Sequence, residues 1–161
     1  MKFNINYNGK TEQRVLSYDM DEYSFDIEPW EGITNVDLAL NYLCLTVIGE
    51  DNHVAQVSGF CPYAEWIKTS HNVPQNSTGR LILIDDLESG NGTYEINNVH
   101  WPVYVNPDTG WVCIGNPEKS GKAVEFINDC VAVISANSDL LSLWLKPKGG
   151  SKPPFEKTWN F

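Results

Sequence analysis

The stretch SYDMDEYSFDIEPWE, residues 17–31, alternates apolar and polar side chains in two phases. Leu16, Tyr18 and Met20 share one parity, whereas Tyr23, Phe25 and Ile27 share the other. A strand turns successive side chains to opposite faces, so a change of parity requires a turn or a bulge, here at Asp21-Glu22. On both sides of that break the carboxylates fall opposite the apolar residues: Asp19 and Asp21 before it, Asp26 and Glu28 after it. The pattern predicts two short strands whose apolar set enters a core and whose acids line an outer face.

Working outward, the rest of the chain reads the same way. Phe3, Ile5 and Tyr7 alternate with asparagines and run into Asn8-Gly9, a dipeptide that accepts positive φ and predicts a first hairpin with the run through Val15 and Leu16. Residues 43–48 and 53–60 flank the turn Gly49-Glu50-Asp51-Asn52 and predict a second. Residues 81–84 form a continuous apolar run suited to a buried strand, and strands follow at 93–96, 101–105 and 111–114, the last two joined by the turn Asn106-Pro107-Asp108-Thr109-Gly110. Residues 130–134 and 140–145 make a closing hairpin. Up to three short helices are expected: after the capping-box pattern Thr34-Asn35-Val36-Asp37, after Pro62 through Ala64, Trp66 and Ile67, and at 121–129, where strand and helix fit equally. Residues 70–79, SHNVPQNSTG, read as a surface loop. The expected fold is mainly β or α+β, antiparallel sheets built from hairpins with one to three short helices. A single domain over residues 1–148 is expected, with a Pro/Gly-rich tail at 149–161.

Composition restricts function. Eleven basic against 21 acidic residues give a net charge of −10. Phosphate recognition needs clustered Lys and Arg, so neither nucleic acid nor an anionic membrane is expected as a partner. No apolar run reaches the length of a membrane span and no secretory leader is read at the N-terminus, so the expected compartment is the cytoplasm. Cys44, Cys61, Cys113 and Cys130 each sit in or beside apolar runs and are expected as buried free thiols.

The residues that could carry chemistry do not converge. His53, His71 and His100 are isolated, no CxxC pair exists, and Asp19-Met20-Asp21-Glu22 lacks the glycine and closing glutamate of a calcium loop. No G-x-S-x-G or phosphate-cradling glycine loop occurs. The expectation is a non-enzymatic protein without a cofactor or a metal.

What stands out is charge set among aromatics. Asp19, Asp21, Glu22, Asp26, Glu28 and Glu31 surround Tyr18, Tyr23, Phe25 and Trp30, with Arg14 the only nearby cation. Such a surface is either a solvated face or one that meets a cationic partner. A small acidic domain with tyrosines among carboxylates resembles the nuclease immunity proteins of bacterial toxin–immunity systems. The closing segment VEFINDCVAVISANSDLLSLWLKP, residues 124–147, is also similar to the hairpins that end small immunity-type proteins. The resemblance implies a basic toxin domain as partner, contacted by Tyr18, Asp19, Asp21, Glu22, Asp26, Glu28 and Trp30, with Asp85, Asp86 and Glu88 as a second acidic surface. A different reading is a β-rich small-ligand or carbohydrate-binding domain, with Trp30, Trp101, Trp111 or Trp159 as stacking platforms.

Overall fold

The computed structural model describes residues 1–28, 32–87 and 92–148. Trp30, Glu31, Glu88, Trp159 and the expected tail lie outside the described residues.

The phase break becomes a hairpin. Its strands are the second and third of fifteen among the described residues: β1 (Phe3–Asn6), β2 (Val15–Asp19), β3 (Ser24–Glu28), β4 (Thr34–Leu40), β5 (Leu43–Ile48), β6 (His53–Phe60), β7 (Ile67–Lys68), β8 (Ser77–Thr78), β9 (Arg80–Leu83), β10 (Thr93–Glu95), β11 (Val103–Val105), β12 (Val112–Gly115), β13 (Lys122–Ile127), β14 (Cys130–Ile134) and β15 (Leu140–Leu145). Leu16 pairs with Ile27 and Tyr18 with Phe25, and all four side chains are buried. Residues 20–23 form the turn that exchanges the parities, with Tyr23 in the left-handed region at φ 55°.

The strands form two sheets. The first runs β1-β9-β6-β5-β4-β10, with β3 also pairing β6 and carrying β2. The second runs β7-β11-β12-β15-β14-β13-β8. Hairpins dominate, but three pairs are parallel: β10 with β4, β11 with β7, and β13 with β8. The sheets are therefore mixed. Phe3, Phe25, Leu38 and Leu45 of the first sheet share one core with Val112, Phe126, Leu143 and Leu145 of the second. Residues 10–12 stitch the two together, the Glu12 amide donating to Phe126 O and Glu12 O accepting the Asn128 amide, both at 3.0 Å.

Helix is nearly absent. The capping-box pattern at Thr34 opens β4 instead, because Val36, Leu38 and Leu40 alternate into the core and the Asp37 carboxylate accepts the Thr46 hydroxyl across the hairpin at 2.6 Å. After Pro62 only a three-residue 3₁₀ turn forms, Tyr63–Glu65. The ambiguous 121–129 segment is strand β13, backed by β14. The first predicted hairpin does not form either. Asn8-Gly9 does turn the chain, yet β1 pairs with β9 and the following residues leave for the second sheet.

The second sheet is apolar on both faces. Cys113, Val131, Val133 and Trp144 point away from the shared core and are nonetheless buried, packed with Val73 from the 70–79 segment. That segment starts from β7 on one edge of the sheet and ends in β8 on the other. Six interstrand spacings of about 4.8 Å separate those edges, about 29 Å in all. The nine residue steps from Lys68 to Ser77 reach about 30 Å only when nearly fully extended. Residues 69–76 are the surface loop expected there, and they run as a strap from one edge of the sheet to the other with Val73 packed on its outer core.

Candidate binding surface

The turn between β2 and β3 gathers part of the predicted acidic surface. Asp19 Oδ1 accepts the amides of Asp21 at 2.8 Å and Glu22 at 3.1 Å, so this carboxylate shapes the turn. The side chains of Asp21 and Glu22 are exposed beside it. Asp26 and Glu28 are exposed farther along β3, and Asp26 Oδ1 accepts Gln56 Nε2 at 3.1 Å. Asp85 and Asp86 lie elsewhere. Asp85 Oδ1 accepts the Lys2 amide at 2.7 Å, just beyond β9, which meets β6 at His53. The acidic turn meets β6 at its opposite end, where Ser24 pairs with Phe60. Seven steps along β6 put about 23 Å between the two acidic groups, so they do not form one surface.

Tyr18 is a correction. It was expected to reach a partner, but it is 6% exposed. Its ring packs edge-on against Phe25 and Trp66, at 4.8 and 5.2 Å between centroids. Its hydroxyl donates to Cys61 O at 2.8 Å and accepts the Tyr63 amide at 3.2 Å. Burial pushes its pKa well above the ordinary tyrosine range. It is a core residue with a structural hydrogen-bond pair.

Its place at the surface is taken by Tyr23, which the alternation puts with the core set but which sits in the turn, and by Phe60 and Tyr42, which were given no surface role. Tyr23, Phe60 and Tyr42 are 39%, 44% and 76% exposed and touch in a row, with ring centroids 6.3 Å apart from Tyr23 to Phe60 and 6.2 Å from Phe60 to Tyr42. Tyr63 joins Tyr23 at 5.6 Å. Each ring comes from a chain reversal at the same end of the first sheet: the β2–β3 turn, the β4–β5 turn, and the end of β6 with the 3₁₀ turn after it. Two backbone features set the row. Cys61 N donates to Tyr23 O at 2.8 Å. Gly59, at φ +128°, lets β6 approach so closely that a Cβ there would lie 2.5 Å from Tyr42 O. The available signal was local: Tyr42 sits at the turn between two apolar runs, and Phe60 follows a Ser-Gly pair.

Behind this ridge lies a cavity of about 410 Å³. Tyr42 and Phe60 line one side, Glu65 and Trp66 follow the ridge, and Glu95 and His100 face them from the other side. Asn41 holds that far wall in place: its Nδ2 donates to Trp101 O at 2.8 Å, and its Oδ1 accepts the Trp101 amide at 2.9 Å. Trp101 itself is buried and donates Nε1–H to Ile96 O at 3.1 Å, so it offers no stacking platform. Trp111 is half-buried against the outer core of the second sheet.

Cys44, expected as a buried thiol, is half-buried, and burial together with the nearby Asp37 carboxylate raises its pKa. Burial pushes Cys61 and Cys113 up to about 12 and Cys130 well above the ordinary range, which keeps all three protonated and inert at neutral pH. Among the described residues no group of three or more His, Cys, Asp or Glu side chains is placed to hold a metal ion. No helix there is long and apolar enough to cross a membrane.

The chain matches no known family model and no curated protein sequence.

Proposed function

We propose that this protein is a binding protein whose aromatic ridge and acidic turn dock a basic protein, in the manner of an immunity protein occluding a cationic nuclease-type toxin. The observation that carries the reading is the contiguity of Tyr23, Phe60 and Tyr42 with the exposed carboxylates of Asp21 and Glu22. Exposed aromatics in a row are what interface centres use, since a rigid ring buries large area at little entropic cost. Carboxylates at their edge accelerate encounter with a positive surface and select against a negative one. The net charge of −10 works in the same direction at longer range.

The test is co-expression with a panel of basic nuclease-type toxin domains, read as rescue of growth, and capture of the rescued toxin at rising salt. Phe60→Ala and Tyr42→Ala are each expected to weaken capture by about 2 kcal/mol or more. Asp21→Asn with Glu22→Gln is expected to slow association and flatten the salt dependence, leaving the unfolding midpoint unchanged. Rescue that survives loss of both ring side chains places the interface elsewhere and defeats the reading.

A further inference from the structure

We infer that the cavity behind the ridge is a site for an amphipathic organic cation, an alkylammonium or alkylguanidinium group. The inference stands on the cavity alone and does not require the protein partner proposed above.

At about 410 Å³ the cavity falls within the range of small-ligand sites. Its chemistry is graded from floor to rim. Leu40, Leu43, Ile96 and Ile114 back the floor almost without exposed surface, and Val99 and Val103 present the accessible aliphatic surface. The rim carries the aromatic rings of Tyr42 and Phe60 and the exposed carboxylates of Glu65 and Glu95. An alkyl chain of four to six carbons in length, taken as a rough match, would lie against the floor with its charged end at the rim. There the carboxylates supply charge, and the ring faces add cation–π attraction within about 6 Å.

Other ligand classes fit less well. Among the described residues no Lys or Arg lines the cavity, and the chain as a whole is strongly negative, which disfavours an anion. The Asn41 amide is engaged at both its nitrogen and its oxygen by the Trp101 backbone, so a sugar would have to draw its hydrogen bonds from the two carboxylates, Asn98 and His100. A neutral apolar molecule would leave both carboxylates without any part in binding. The arrangement selects a cation with an apolar body.

Two sources could offer that group: a free small molecule, or an Arg or Lys side chain of a protein. The experiment is an amide-resolved NMR titration of the full chain with n-butylguanidinium, n-butanol and butyrate, each at constant ionic strength. Saturable shifts are expected with n-butylguanidinium alone, centred on Tyr42, Phe60, Glu95 and Ile96. Glu65→Gln with Glu95→Gln should weaken binding by about fivefold, as expected for two rim charges, with the unfolding midpoint unchanged. Phe60→Ala should weaken it independently through the lost ring.

A blocked Gly-Arg-Gly tripeptide separates the sources. Competition at similar affinity assigns the group to a protein side chain, and exclusion of the tripeptide assigns it to a free small cation. Equal binding of n-butanol, binding of butyrate, absence of saturation, or shifts that map away from the cavity overturns the inference. Failure of every toxin to be captured alongside saturable n-butylguanidinium binding removes the partner reading and leaves this one standing. The reverse pattern removes only this one.

Discussion

The Tyr18 hydroxyl donates to the carbonyl oxygen of Cys61 across 43 residues of sequence, at 2.8 Å and out of solvent. The Tyr18 hydroxyl oxygen in turn accepts the Tyr63 amide at 3.2 Å, so one side chain anchors the segment that carries both Phe60 and the 3₁₀ turn. The ridge outside depends on this bond within.

Tyr18→Phe should therefore destabilise the fold by about 1–3 kcal/mol, because the buried Cys61 carbonyl loses its hydroxyl donor. Urea unfolding measures the cost. A midpoint equal to wild type would mean that water replaces the hydroxyl and that the anchor is dispensable.

Alkaline pH should weaken the fold through the thiols. Burial raises Cys61 and Cys113 to about 12 in the folded state and Cys130 well above the ordinary range, whereas an unfolded thiol titrates near ~8.5. Above that value the unfolded chain releases thiol protons that the folded chain retains, so unfolding is favoured. The stabilisation is complete below about pH 8.5 and declines as pH rises from there toward the raised folded-state values. Tyr18 adds a component of the same sign above about pH 10. Replacing the three cysteines by alanine should flatten the fall in urea midpoint between pH 8 and pH 10, whatever it does to the stability at neutral pH. An unchanged slope would show that the thiols are not its source.

The strap should be released by Asn106→Ala. Asn106 is buried and ties two segments, donating to His71 O at 2.9 Å and accepting the Asp108 amide at 3.0 Å. Loss of both bonds costs about 1–3 kcal/mol, concentrated where the strap crosses the sheet. Limited proteolysis within residues 70–76 should rise about tenfold or more under conditions where the rest of the chain stays folded. Val73→Ala, which removes apolar contact with the outer core, should act in the same direction more weakly. Cleavage that tracks only global unfolding would show the strap to be no looser than the sheet beneath it.

Several elements were legible from local pattern because their physics is local. The parity break at Asp21-Glu22 required a turn or a bulge to keep Phe25 and Ile27 inside with Leu16, and the pairing of β2 with β3 makes it a turn. The turns at 49–52, 106–110 and 135–139 follow from Gly, Pro and Asn chemistry, and hairpins form across each of them. The apolar runs at 130–134 and 140–145 indicated a closing hairpin, which forms as β14 and β15. Local pattern failed where distant partners decided. Thr34-Asn35-Val36-Asp37 satisfies a helix cap in isolation, yet β5 offers backbone pairing and the Thr46 hydroxyl, which outweigh a few tenths of a kcal/mol of propensity per residue. Asn8-Gly9 promised a hairpin, but β9 captured β1.

The binding surface divides in the same way. The sequence determined the charge, the alternation that turns Asp26 and Glu28 outward, and the turn that exposes Asp21 and Glu22, all of which depend only on neighbours along the chain. The same alternation sets Tyr18 on the core face, while tertiary structure alone decided that Tyr23, Tyr42 and Phe60 meet, because contact depends on which strands pair. It also drew residues 69–76 across the second sheet, a path set by two edges that no local signal relates.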